Sequence, residues 1–397
     1  MACRRSFLTS WVYMHKQNPR IGIVVTSNGI GGAEKRFARL FNYLSAHSTR
    51  YTYTLLLPKK LKQLLCEQKI LTDHQKQVVE IFDSFPGNLF NHYHRFKFFK
   101  YRLPGRLLLP ILRRAWDAPQ VQQVLAGFDL VHFCSAHPLQ RIPHAKPVVL
   151  EEPDSASQAS VSPLVFPWLA QGAFLSCLSP AIGAAYLQVA QDQAMRDRVR
   201  IAPCSFIDYA SPYVAPKERL IVFLGRMETI KHPQIFIAAI ELLAQQRQDF
   251  QAVMLGTGWL DHELDALIVR RGLTQRLQRF YHPDPYAFLS RAAIFVSIQQ
   301  FDNYPSQALI EAMACGCMPI ASAVGQTALL VSPDVGYCVP LTAQDLAAQL
   351  DHALQQFAQT VAMGEAARAK VLHEHTVQRY ACYLEELYQD VFSAASA

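Results

Sequence analysis

The stretch LIVFLGRMETIKHPQIFIAAIELLAQQ, Leu220–Gln246, decides the fold. LIVFL is a short, unbroken apolar run, the mark of a strand buried on both faces. Gly225 ends it, and HPQIFIAAIELLAQQ reads as a helix with proline near its start. A strand, a short turn and a helix make one unit of a parallel sheet with crossover helices.

The same alternation recurs outward in both directions. QAVMLG, RFYH, AAIFVSI, MPIAS and GYCVP read as further strands of the second half, with helices over LDHELDALIVRRG, DPYAFLSRA, SQALIEAMACG and AQDLAAQLDHALQQF between them. In the first half IGIVVTS, YTYTLLLP, VVEIFD, DLVHFC, PVVLEE and FLSCLS read as strands, and GGAEKRFARLFNYLSA as a helix. The predicted class is α/β, with two Rossmann-like, doubly wound parallel-sheet domains facing a central cleft. Expected boundaries are 1–210, opening with a basic arm over 1–20, and 211–375, with a C-terminal helix over 376–397 crossing back to the first domain. SFIDYASPYVAPKERL, residues 205–220, reads as the linker.

The chain has 397 residues, 51% of them apolar and 17% charged, a core-forming composition. No run approaches the roughly 20 apolar residues that cross a bilayer. The N-terminus has no apolar signal core, so a cytoplasmic location is expected. Nine cysteines without a CxxC pair read as reduced structural thiols, and no D-x-D occurs. No metal site and no cofactor are therefore expected. Residues 1–210 hold 25 Lys/Arg against 13 Asp/Glu, a net +12; residues 211–397 hold 13 against 18, a net −5. The basic half should meet something anionic. HRFKFFKYRLPGRLLLPILRR, residues 94–114, has seven cations and no acid. Its Arg95, Lys97, Lys100 and Arg102 are candidates for peripheral contact with an anionic membrane on its inner face. The alternative is an ordinary amphipathic stretch. No nucleic-acid motif is present.

Ligands of open α/β sheets bind at strand-to-helix turns. TSNGIGGAEK carries Gly29, Gly31 and Gly32, which suit anion binding, although Glu34 takes the third glycine's place in the dinucleotide pattern. GRMETIK places Arg226 and Lys231 five apart after Gly225, a possible diphosphate clamp or two solvated charges. GTGW holds Gly256 and Gly258, which fit a ligand-facing loop or a plain turn. FDNYPSQALIEAMACGC, residues 301–317, places Asp302 and Glu311 around a turn and a helix. Pro305 suits the first helical turn, Ser306 the cap, and Gly316 a left-handed end. Glu311, among apolar residues, needs a partner such as a ribose diol or a nearby cation.

From Leu220 to about Leu350 the chain resembles retaining glycosyltransferases of the GT-B fold, glycosyltransferase family 4. GRMETIK resembles the family's phosphate clamp, GTGW its G-x-G turn, and SIQQFDNYPSQALIEAMACGCMPIAS its paired-acid block. VGQTALLVSPDVGYCVPL resembles the stretch that follows. The resemblance implies that Arg226 and Lys231 neutralise the donor diphosphate and that Glu311 holds the ribose. Asp302 then stands near the donor sugar, one residue farther from Glu311 than the family's spacing, with Asn303 at the strict position. Tyr304, Pro305 and Ser306 complete the donor loop. His137, with His132 second, would touch the donor sugar; Glu151, Glu152 and Asp154 would bind acceptor hydroxyls or form a solvated loop. The implied reaction is metal-independent transfer, with retention, from a nucleotide sugar to a saccharide or lipid-linked acceptor in cell-surface polysaccharide or glycolipid assembly. The alternatives are a GT-B-fold sugar-nucleotide epimerase and a non-catalytic nucleotide-sugar-binding subunit.

Overall fold

The computed structural model describes residues 18–27, 30–72, 77–81, 119–134, 147–152, 161, 165–206, 215–302 and 304–396. Gly29, Asn303, His137, Asp154 and the basic stretch with Arg95, Lys97, Lys100 and Arg102 lie outside them. By contacts the chain divides into two units. One is Met1–Glu151 with Pro163–Leu175 and Leu384–Ala397; the other is Glu152–Ser162 with Ser176–Tyr383.

The described residues form two sheets. The first comprises β1 (Arg20–Val24), β2 (Thr52–Leu57), β3 (Val78–Glu80), β4 (Leu130–Phe133), β5 (Val148–Glu152), β6 (Phe174–Cys177) and β7 (Val199–Ile201), in the order β3-β2-β1-β4-β5-β6-β7. The second comprises β8 (Glu218–Leu224), β9 (Gln251–Leu255), β10 (Leu277–Phe280), β11 (Ala292–Ser297), β12 (Met318–Ser322) and β13 (Tyr337–Val339), in the order β10-β9-β8-β11-β12-β13. β8 pairs in parallel with β9 (Val222↔Val253) and with β11 (Val222↔Phe295). β1 pairs likewise with β2 and β4 (Ile23↔Leu55, Ile23↔His132).

The second sheet shows why β8 is an unbroken apolar run. Ile221 and Phe223 point into one core with Phe236, Ile240 and Leu243 of the helix Pro233–Gln246. Leu220 and Val222 point into the opposite core with Leu309, Ile310 and Met313 of the helix Gln307–Ala314. Side chains alternate along a strand, so two covered faces demand apolar residues at every position. The helix after β8 and the helix after β11 thus cover opposite faces of adjacent strands. The strand order reverses between β8 and β11, which makes their carboxyl ends the switch point of this sheet.

Each expected strand is present. Gly316 ends the helix Gln307–Ala314 at φ +76°, as expected. A Cβ on Gly364, in the helix Phe357–Glu374, would lie 2.3 Å from its carbonyl oxygen, so that helix seats against the turn. Pro305 corrects the expectation. It precedes the helix, after a cis Tyr304–Pro305 bond, and Ser306 is the cap residue without a side-chain capping bond. The helix Val377–Ser396 matches the expected C-terminal one. Among the described residues no helix is long and apolar enough to cross a membrane, and the cysteines there are free thiols.

Candidate active site

The candidate site is built from the turns that leave β8 and β11. After β8, residues Thr229–Lys231 form one 3-10 turn, and His232 follows in a left-handed conformation (φ 45°) before the helix starts at Pro233. The Arg226 side chain stands 73% exposed, its guanidinium 3.1 Å from Glu228. Lys231 turns inward. Its Nζ donates to Gln299 Oε1 at 2.5 Å, and Gln299 follows β11. Gln300 N also donates to Ile230 O at 3.3 Å. The two turns of the switch point are therefore tied together through the predicted cation. Burial pushes the Lys231 ammonium down to about 8, with the positive charge of Arg226 acting the same way and Glu228 opposing it.

Gly256 and Gly258 serve packing between turns. A Cβ on Gly256 would lie 2.0 Å from Gly225 O, and one on Gly258 would lie 2.2 Å from Met227 O. Met227 N donates to Thr257 O, and Leu260 N to Met227 O. The turn after β9 is thus laced to the backbone beneath Arg226, which explains both glycines. At Gly225 itself an added Cβ would meet nothing nearer than 4.0 Å.

Asp302 is buried, and its Oδ1 accepts from Tyr304 N at 3.1 Å. A Cβ on Gly325, in the turn after β12, would fall 2.3 Å from the Asp302 Cβ; Gly325 itself has φ +51°. Glu311 is half-buried on the helix Gln307–Ala314, among the buried Leu309, Ile310, Ala312 and Met313. A small pocket is lined by Ser297, Gln299, Tyr304, Ser306, Leu309, Thr327 and Leu330. Gln299, Ser322 and Gly325 are the participants that sequence reading did not single out.

The first unit treats its charges differently. Gly31 caps the helix Gly32–His47, and Gly31 N donates to Glu34 Oε2 at 2.8 Å. Gly31 has no side-chain oxygen, so only the glutamate half of a capping box forms. His132 and Glu151 are fully buried. Arg36 of that helix, 3% exposed, ion-pairs with Glu151. His132 Nε2 faces the other Glu151 oxygen at 3.5 Å, and its Nδ1 meets the Tyr388 hydroxyl at 2.8 Å. A proton on Nε2 suits both contacts. The solvated-loop reading of Glu151 is corrected here. The residue closes an internal network, and neither it nor His132 reaches solvent. Glu152, next along β5, accepts from the Tyr186 hydroxyl at 2.8 Å.

Residues 210–370 match the family model for glycosyl transferases group 1. A 110-residue stretch is 29% identical to the N-acetylgalactosamine-N,N'-diacetylbacillosaminyl-diphospho-undecaprenol 4-alpha-N-acetylgalactosaminyltransferase of Campylobacter jejuni, covering 28% of this chain and 29% of that one. A 185-residue stretch is 26% identical to the D-inositol 3-phosphate glycosyltransferase of Corynebacterium aurimucosum, covering 44% of each chain. The chain thus spans less than half the length of these curated relatives. Among solved structures, Anabaena HepE in complex with UDP and glucose superposes with a TM-score of 0.70 at 18% identity, over 94% of this chain and all of that one. WaaG, a glycosyltransferase involved in lipopolysaccharide biosynthesis, superposes with a TM-score of 0.63 at 15% identity, over 91% and 98%. The fold is therefore GT-B.

Proposed function

We propose that the protein is a retaining glycosyltransferase. It moves a sugar from a nucleotide-diphosphate donor to a saccharide or lipid-linked acceptor, in cell-surface polysaccharide or glycolipid assembly. One observation carries the reading. Arg226 and Lys231 stand in the turn after β8, Asp302 and Glu311 follow β11, and the Lys231–Gln299 bond joins the two turns at the switch point. A half-buried lysine whose ammonium bonds a neutral amide is a cation held ready for an anion. The group 1 match over 210–370 and the UDP complex of a protein sharing the fold support a nucleotide-sugar donor.

In this reading Arg226 grips the diphosphate as a planar fork and Lys231 as a point charge. Glu311 accepts from the ribose hydroxyls, and Asp302 stands near the donor sugar. The bond from the anomeric carbon to the diphosphate oxygen breaks while the acceptor oxygen bonds to the same face. The acceptor proton passes to the departing diphosphate oxygen. The two cations stabilise charge that grows on the leaving group, the work a metal performs elsewhere. The basic stretch 94–114 would hold the protein to an anionic bilayer beside a lipid-linked acceptor. Reversing the charges of Arg95, Lys97, Lys100 and Arg102 should abolish flotation with anionic vesicles.

Incubation with UDP-, GDP- and ADP-sugars, following nucleotide release, tests the reaction. One nucleotide class should release its diphosphate and yield a product that keeps the donor's anomeric configuration. Release that persists in Arg226→Ala, or an inverted product, would overturn the assignment.

A further inference from the structure

We propose that Gln299 and Ser322 are positioning residues for Lys231, a charge-neutral latch that fixes where its ammonium meets the donor diphosphate. The inference rests on the donor reading above and adds two residues to it.

The latch is visible in four bonds. Gln299 Oε1 accepts from Lys231 Nζ at 2.5 Å. Gln299 N donates to Ser322 Oγ at 3.1 Å, and Ser322 Oγ donates to Gln299 O at 3.0 Å. One hydroxyl therefore holds both backbone groups of Gln299. Gln300 N then binds Ile230 O, so the lysine is held by its backbone neighbour as well as its head group. Described backbone pairing between β11 and β12 ends at Ser297↔Ala321, and the Ser322 hydroxyl extends it just beyond. Gln299 and Ser322 are 5% and 1% exposed, so the latch lies inside, while Lys231 as a whole residue is half-buried.

The residue type matters. An ammonium has three N–H donors; one goes to Gln299, which leaves two for phosphate oxygens. A glutamine fixes the ammonium without cancelling its charge. A glutamate of the same length would make a stronger bond but would neutralise the cation that the diphosphate needs. A merely structural role predicts instead that Gln299→Glu, which keeps the fold, leaves diphosphate binding intact.

Gln299→Glu, Ser322→Ala and Ser322→Thr test this in the full chain, with calorimetric titration of UDP, inorganic pyrophosphate and uridine, and with thermal unfolding. Gln299→Glu should keep or raise the unfolding midpoint yet bind UDP and pyrophosphate about tenfold or more weakly, a single charge-assisted bond's worth. Ser322→Ala should weaken both diphosphate probes about threefold to tenfold, and Ser322→Thr should restore them, since it keeps the hydroxyl. Uridine affinity should stay put in all three. Wild-type binding that survives intact in Gln299→Glu overturns the latch alone. A wild-type protein that binds neither diphosphate probe overturns the donor reading, and the latch falls with it.

Discussion

Two charged clusters, one in each unit, use the same residue types to opposite ends. Arg36, Glu151 and His132 are sealed away from water and answer one another, with Tyr388 closing the set. Arg226, Lys231, Asp302 and Glu311 range from open to half-buried to buried, and Lys231 bonds an amide rather than a carboxylate. A sealed ion pair is matched by design and costs heavily when one member goes, because the other charge is stranded. A cation left with a neutral partner costs the folded state a little and keeps its charge for a ligand. On the proposed reading, the difference separates charges that hold the fold from charges poised for a ligand.

The sharpest way to break this contrast is Glu151→Ala. It should cost about 3–5 kcal/mol of stability by leaving Arg36 buried beside a void. Denaturant unfolding reads that loss, and a loss under about 1 kcal/mol would erase the structural half of the comparison. Lys231→Ala should do the reverse. Stability should hold or rise, while affinity for the donor's nucleoside diphosphate falls by about 1.5–3 kcal/mol, roughly 10-fold to 150-fold. Gly325→Ala comes next. Its Cβ would drive into Asp302 from a left-handed backbone, so about 1–3 kcal/mol of stability and a selective loss of transfer are expected.

pH sharpens the contrast further. The folded pKa of Lys231, about 8, lies below its ordinary 10.5. Between those values the unfolded chain binds more protons, so this group's cost to stability shrinks as pH rises from 8 to 10.5. Binding runs the other way, because the diphosphate needs the charged form. Affinity should fall by up to about tenfold per unit above pH 8, measured by calorimetry. In Lys231→Arg, whose charge does not titrate there, the slope should vanish. The smallest expected effect is at His232. Glycine there relieves left-handed strain but adds freedom to the unfolded chain, for a net gain below about 1 kcal/mol.

Most sheet strands were legible as apolar runs bounded by turn residues, a pattern that covering on both faces enforces; β7, Val-Arg-Ile with a polar centre, was not singled out. Helices such as Lys59–Glu67 and Phe357–Glu374 were not singled out. The first is short and crowded with lysines, and the second carries no strong apolar stripe. At the candidate site, the spacing of Arg226 and Lys231 after a strand end marked a possible diphosphate clamp or two solvated charges. Gln299 was not legible, because its bond to Lys231 spans 68 positions and no motif marks it. The one available signal was a polar pair, Gln299–Gln300, standing directly after an apolar strand. The glycines of GTGW fitted a ligand-facing loop or a plain turn, and their neighbours are the backbones of Gly225 and Met227. His132 was expected beside the donor sugar, and Glu151 at acceptor hydroxyls or in a solvated loop; the apolar residues flanking each were the better guide to their burial.

The most direct test is a calorimetric comparison of the donor's nucleoside diphosphate with its parent nucleoside, in the wild type and in the Arg226→Ala/Lys231→Ala double variant. The wild type should prefer the diphosphate by at least about 100-fold, and the double variant should lose nearly all of that preference. A preference that survives in the double variant would mean that the diphosphate is held elsewhere, and that these two cations are not its clamp.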